Sequence, residues 1–185
     1  EKAMTEHGES EYSRLAEAAK TYDFERGIKE FARSGGRNHS QGRTRDAGQY
    51  RMPGSPRLAE AALVVRDAEA LRAAARYALN LAACQYWDNG FMAYFPGSDW
   101  ENRAFQKSYI TEDVAYVADV AGEALTENGR RYLFRRLAEE GVGRINFVLW
   151  RHEYVFHCNQ LGFFNTGRMA AYLVMDRQMP RVIPY

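Results

Sequence analysis

Two carboxamides stand side by side at Asn159 and Gln160, and acid–base groups crowd the residues just before them. The stretch from Trp150 to Gln160 reads WRHEYVFHCNQ, so Trp150, Arg151, His152, Tyr154 and His157 lie within ten residues of the amide pair. Amide N–H groups stabilise a developing negative charge without adding a competing base. His157 and Tyr154 are the side chains nearby that can take or give a proton. Arg168, Arg151 and, further upstream, Arg103 can grip a carboxylate through the two-pronged edge of a guanidinium. Trp87, Trp100 and Trp150 offer flat apolar faces of the kind on which a pyranose ring packs. Each residue also has a plainer role. Asn159 and Gln160 can cap a turn between helices, His157 can be a core histidine and His152 part of a solvated face. Tyr154, four residues after Trp150, can be core or the wall of a sugar subsite. Arg103 can simply pair with a carboxylate, and the aromatic rings can fill helix–helix interfaces.

The elements that must position these groups read as helices. From Ser10 to Arg33, Leu15, Ala18 or Ala19, Tyr22 and Ile28 recur at helical steps, with Gly27 weakening the pattern. Residues 34–55 are rich in Gly, Ser, Asn and Arg and read as a long loop. Ser55 and Pro56 then give a capped helix start. The run to Trp87 is dense in Ala, Leu, Arg and Glu, with a buried stripe of Leu58, Ala62, Val65, Leu71, Ala75, Ala78 and Ala82. The stripe slips at RDAE (66–69), which predicts a short turn between two antiparallel helices. Residues 85–102 form an aromatic loop. A helix apolar on two faces follows from Arg103 to Ala124, as expected of one sandwiched between neighbours. Thr126 caps the next helix, which buries Leu133, Phe134 and Leu137 and is expected to stop at Gly141. Thr166 is expected to cap a last helix that ends before Pro180. No segment alternates as a strand does. The reading is all-α: a single helical domain over 1–185, with antiparallel hairpins joined by short connections.

Composition narrows the partners. Twenty-five basic residues nearly match twenty-four acidic ones, for a net charge of +1. A nucleic-acid-gripping surface needs a larger basic excess, whereas an anionic sugar needs only a few local cations. No apolar run reaches the length of a membrane span. Cys84 and Cys158 show no metal-ligand spacing; two buried thiols are the expectation, with one disulfide as the alternative. No P-loop, G-x-S-x-G or H-E-x-x-H pattern occurs. The acid pairs Asp99/Glu101 and Glu112/Asp113 could serve a glycoside hydrolase, though they read more simply as loop and helix-start acids.

Three stretches resemble the helical half of the heparinase II/III-like and alginate-lyase-like polysaccharide lyases. They are PRLAEAALVVRDAEALRAAARYALNLAACQYW, AYVADVAGEALTENGRRYLFRRLAEEGV and WRHEYVFHCNQLGFFNTGRMAAYLVM. Together they span roughly two-thirds of the chain, and Cys158-Asn159-Gln160 is the most specific part. The chain departs from the group's pattern at Gln160, where many members carry His or Asn after the catalytic Asn. The resemblance implies a partial (α/α) toroid belonging to a larger protein, secreted or periplasmic. The implied activity is β-elimination on a uronate-containing polysaccharide, with no cofactor or metal required by these residues. In that chemistry Asn159 neutralises the uronate carboxylate, Gln160 assists, and His157 or Tyr154 moves the proton. Arg103, Arg168, Trp87, Trp100 and Trp150 bind substrate. A glycoside hydrolase on a helical toroid and a non-catalytic carbohydrate-binding or scaffold module are the competing readings.

Overall fold

The structure is a computed structural model that describes residues 2–21, 23, 55–83, 87 and 105–178. Seven α-helices appear among these residues, and no strand. They are α1 (Lys2–Thr21), α2 (Ser55–Val64), α3 (Ala68–Ala83), α4 (Phe105–Val120), α5 (Glu127–Arg136), α6 (Arg144–Arg151) and α7 (Gln160–Gln178). None is long and apolar enough to cross a membrane. The loop 34–54, nearly all of the 85–102 loop, and the 24–33 end of the first expected helix fall outside the described residues.

The slip at RDAE is a helix-to-helix turn with both ends satisfied. Asp67 N–H reaches back to Ala62 O at 3.0 Å, and Arg66 N–H reaches Leu63 O at 3.2 Å. This is the pattern that closes a helix around a left-handed residue. Arg66 is that residue, with φ of 58°. Asp67 then caps α3: its Oδ1 accepts from the N–H groups of Glu69 and Ala70 at 2.9 and 3.0 Å. Its Oδ2 accepts from Lys20 Nζ at 2.9 Å, which ties α1 to the turn. Beneath this contact Ala16, Ala19, Leu58, Ala62 and Ala70 form a small core of their own. Alanine suits it, because short side chains let helix backbones approach closely.

The sandwiched helix is α4. It packs against α2, α3, α7 and the segment after α5. Burial extends round it, through Ile110, Val114, Ala115, Val117 and Ala118 and also Ser108 and Thr111. The main core joins these residues to Tyr77, Leu81, Leu133, Phe134, Leu137 and Val174.

Expected boundaries are corrected at three helices. The helix read over 10–33 begins at Lys2 and ends at Thr21, and Asp23 after it is not helical. Thr126 does cap α5, accepting from Gly129 N–H at 3.1 Å. The helix does not stop at Gly141, however. Leu137–Gly143 winds as a π-helical segment that leads directly into α6, and the residues at both junctions keep right-handed helical angles. Gly141 serves close packing instead: a Cβ there would lie 2.8 and 2.9 Å from Thr111 Oγ1 and Cγ2. Thr166 likewise does not start the last helix, which begins at Gln160. Its hydroxyl donates to Phe163 O at 2.9 Å, one turn back within α7.

Candidate functional site

The amide pair lies where the chain turns from α6 into α7. His152 closes α6, with its N–H bonded to Val148 O at 3.1 Å. A 3₁₀ turn over Glu153–His157 follows, then Cys158 in extended conformation. Asn159 immediately precedes α7, and Gln160 is its first residue. The turn is pinned from beneath. Val155 is fully buried and joins Ile145, Val148, Leu149 and Phe164 in a core private to this hairpin. With Val155 inside, Tyr154, Phe156 and His157 face solvent.

The start of α7 is fixed from the other side by Ser108 of α4, which is fully buried. Its hydroxyl donates to Phe163 O at 2.6 Å and accepts from Gly167 N–H at 3.0 Å. A Cβ on Gly167 would collide with the Ser108 carbonyl, at 2.7 Å from its carbon. Glycine at 167 is therefore what lets α4 and α7 meet backbone to backbone. The Asn159–Gln160 corner is held between this contact and the Val155 plug.

The residues expected to carry chemistry are distributed unevenly. Asn159, His157, Tyr154 and Trp150 are all exposed, Trp150 by 85%. Gln160 is partly buried, and its Oε1 is sealed from solvent with no hydrogen-bond partner. Arg168 is partly buried and bonded to Asn146. Arg151 lies over the Phe147 ring, 5.6 Å from its centroid. Among the described residues no hydrogen bond links Asn159 to His157 or Tyr154. The histidine that meets Tyr154 is His152, with ring centroids 5.9 Å apart. His152 Nε2 is buried and unpartnered, so this residue is not the solvated face that its charged neighbours suggested.

Three further expectations change. Trp87 is fully buried in the main core, with the Arg136 guanidinium 5.8 Å from its ring centroid. It fills the helix interface and offers no face to a sugar. Cys158 is an exposed free thiol, not a buried one. It is drawn outward because Val155 takes the inward place on the turn, and its Sγ contacts Val155 O at 3.6 Å. His157 is exposed rather than a core histidine. Arg103, Trp100 and Cys84 lie outside the described residues, as do Asp99 and Glu101. Of the second acid pair, Asp113 is buried and Glu112 partly buried, both within α4.

The structure adds a polar chain that the sequence reading did not single out. Asn146 on α6 donates through Nδ2 to Tyr172 Oη at 3.0 Å. Its Oδ1 accepts from Arg168 Nη1 at 3.1 Å. The available signal was spacing: Asn146 and Trp150 are four apart, and Asn165, Arg168 and Tyr172 fall on one face of α7.

Among the described residues no group of three or more His, Cys, Asp or Glu side chains is placed to hold a metal. Comparison with family models finds no match, and comparisons with curated proteins and with solved structures find none either.

Proposed function

We propose that these helices are part of an (α/α) toroid and that the α6–α7 corner is the working face of a lyase acting on uronate-containing polysaccharides. The observation that carries the reading is the composition of that corner. An almost fully exposed Trp150, with exposed Tyr154 and Phe156, sits in the same hairpin as Asn159, Gln160 and the guanidinium of Arg168. Exposed large rings gathered in one hairpin, unlike a single exposed ring, point to a surface that binds something. A pyranose covers it with apolar C–H groups while its polar substituents reach the amides.

The chemistry follows from the substrate. The C5 proton of a uronate is weakly acidic while its carboxylate keeps full charge. Amide donors from Asn159, assisted by Gln160, neutralise that charge and stabilise the enolate as it forms. A base, His157 or Tyr154, removes the proton. The C5 electrons then form the C4–C5 double bond, the C4–O bond breaks, and the leaving oxygen takes a proton. A secreted or periplasmic location goes with such a substrate.

A binding-only module is the second reading, and one observation favours it. Tyr154, His157 and Asn159 all face bulk water, which weakens electrostatic stabilisation. One experiment decides between them. The protein is mixed with heparan sulfate, chondroitin, hyaluronan and alginate, and the ultraviolet absorbance of the unsaturated uronate is followed. Elimination predicts a rise that Asn159→Ala abolishes. Binding of a polymer with no rise, quenched fluorescence of Trp150 being the sign of binding, removes the lyase reading and leaves the module.

A further inference from the structure

α7 is apolar on two opposite sides, and only one of them is covered. Phe164, Gly167, Ala171, Val174 and Met175 are buried. The other side runs through Gly162, Thr166, Met169, Leu173 and Asp176, all exposed. Their spacing alternates four, three, four and three residues. That repeat keeps one seam of a helix facing a second helix. Phe163 flanks the seam, and Phe163, Met169 and Leu173 are 43, 51 and 67% exposed. The seam carries no charge before Asp176, because Arg168 is turned to Asn146 of α6. α4, the other helix apolar on two sides, is sandwiched between its neighbours, whereas α7 shows its second side to solvent.

We propose that this side of α7 is a self-association face, on which α7 of a second copy of the chain packs antiparallel about a two-fold axis. In that direction the seam is complementary to itself. The register that sets Leu173 opposite Gly162 also sets Met169 opposite Thr166, and the two-fold axis repeats both pairings. Each joins a large side chain to a small one. The space above Gly162 is open, since a Cβ there meets nothing within 4 Å. The same register brings Asp176 to Asn159 of the second copy, at the amino-terminal end of its α7, where the helix dipole favours a carboxylate. Arg177, whose charge would be unfavourable there, is bonded instead to Asp119 of α4 at 3.2 Å. The three large side chains offer roughly 300 Å² of apolar surface per copy, against the roughly 800 Å² per partner of a standard interface. The dimer is therefore weak and reversible. It is independent of the carbohydrate reading.

Sedimentation equilibrium on the full chain, from micromolar to near-millimolar concentration, reads the association. The expected result is a monomer–dimer equilibrium with Kd on the order of 100 μM. Leu173→Glu places a carboxylate in the seam and weakens the dimer by about tenfold or more. Gly162→Leu fills the space that Leu173 of the second copy needs, and weakens it by about tenfold. Both positions are exposed, so neither substitution lowers the melting temperature of the monomer. Direction and register are read by disulfide crosslinking in a chain carrying Cys84→Ser and Cys158→Ser. Chains with Gly162→Cys and chains with Leu173→Cys crosslink to each other when mixed and oxidised. Neither crosslinks to itself, because like positions lie about 16 Å apart along the helix axes in this register. A chain that stays monomeric over the whole range overturns the proposal and leaves the face to a different protein. A dimer that both seam substitutions leave unchanged lies elsewhere on the molecule and overturns it too. Leu173→Cys crosslinking to itself in preference to the mixed pair overturns the antiparallel register.

Discussion

Gly167→Ala tests whether the α4–α7 contact sets the position of the candidate site. A Cβ at 167 would lie 2.7 Å from Ser108 C and 2.8 Å from Ser108 Cα, where ordinary contact begins near 3.4 Å. The obstacle is backbone, so no side chain can swing aside. The Ser108 carbonyl oxygen would be nearer still, so the two helices must part locally by clearly more than the roughly 0.7 Å between 3.4 and 2.7 Å. Forcing an extra methyl into a packed interface costs about 1–3 kcal/mol. Parting the helices also stretches the Ser108 bonds to Phe163 O and from Gly167 N–H, at about 1 kcal/mol each. Alanine returns about 1 kcal/mol of helix propensity. The net loss is about 2–4 kcal/mol, which for a chain of this size lowers Tm by about 5–15 °C. Gly162, five residues earlier in the same helix, is the internal control. A Cβ there meets nothing within 4 Å, so Gly162→Ala keeps the propensity gain and raises stability by up to about 1 kcal/mol. Thermal melts followed by circular dichroism read both variants. A Gly167→Ala melt at or above wild type would falsify the reasoning, since the propensity gain would then exceed the cost of separating α4 from α7.

Arg66 holds a left-handed conformation at the α2–α3 turn, so Arg66→Gly should raise stability by up to about 1 kcal/mol in urea denaturation, and a clear loss would mean that the arginine side chain supports the turn. The Asp67 carboxyl is held below its ordinary value of 3.8, first by the N–H of Ala70 and then by Lys20. A depressed native value makes its contribution complete above that ordinary value and lost as pH falls through the native one. Lys20 is held above its ordinary value by Glu17 first and then Asp67, so its contribution is complete below 10.5 and lost as pH rises through the raised value. Asp67→Asn should flatten the decline of the urea midpoint below about pH 4; identical pH profiles for variant and wild type would rule the coupling out. Cys158 should react with an aromatic disulfide reagent under native conditions as fully as after unfolding, and protection in the native state would contradict its exposure.

The helices were legible where local chemistry decides them. Asp67 broke the buried stripe because its carboxylate caps α3 better than it continues α2, and Thr126 capped α5 for the same reason. The glycines and Thr166 misled because their roles are tertiary. Gly141 looks like a stop signal, yet Thr111 from α4 needs the space beside it. Thr166 looks like a cap, but the Ser108 anchor and the Val155 plug let α7 begin six residues earlier. Trp87 shows the same limit at the site. A Trp at the edge of an aromatic loop reads as a sugar platform, and only its packing into the main core beside Arg136 reveals that the ring is enclosed. Asn159 and Gln160 were visible from their types. The Asn146–Arg168–Tyr172 chain was not, because it depends on how α6 packs against α7.

The hairpin from Arg144 to Gln178 has its own apolar core around Val155 and Phe164, and its outward side carries Trp150, Tyr154, Phe156, Phe163, Met169 and Leu173 as exposed large side chains. Burial stabilises a surface in proportion to its apolar area, so stability alone would favour smaller or polar residues at these positions. The anchoring contacts run the other way: Ser108 is spent on fixing α7, and Gly167 on bringing it close. A hairpin held this firmly from behind keeps its exposed aromatic rings in fixed places. The polar pairing between α6 and α7 then matters more than any single ring. Removing Trp150 leaves the α6–α7 pairing intact, whereas turning the Asn146 amide breaks its bonds to Tyr172 and Arg168 and frees the guanidinium.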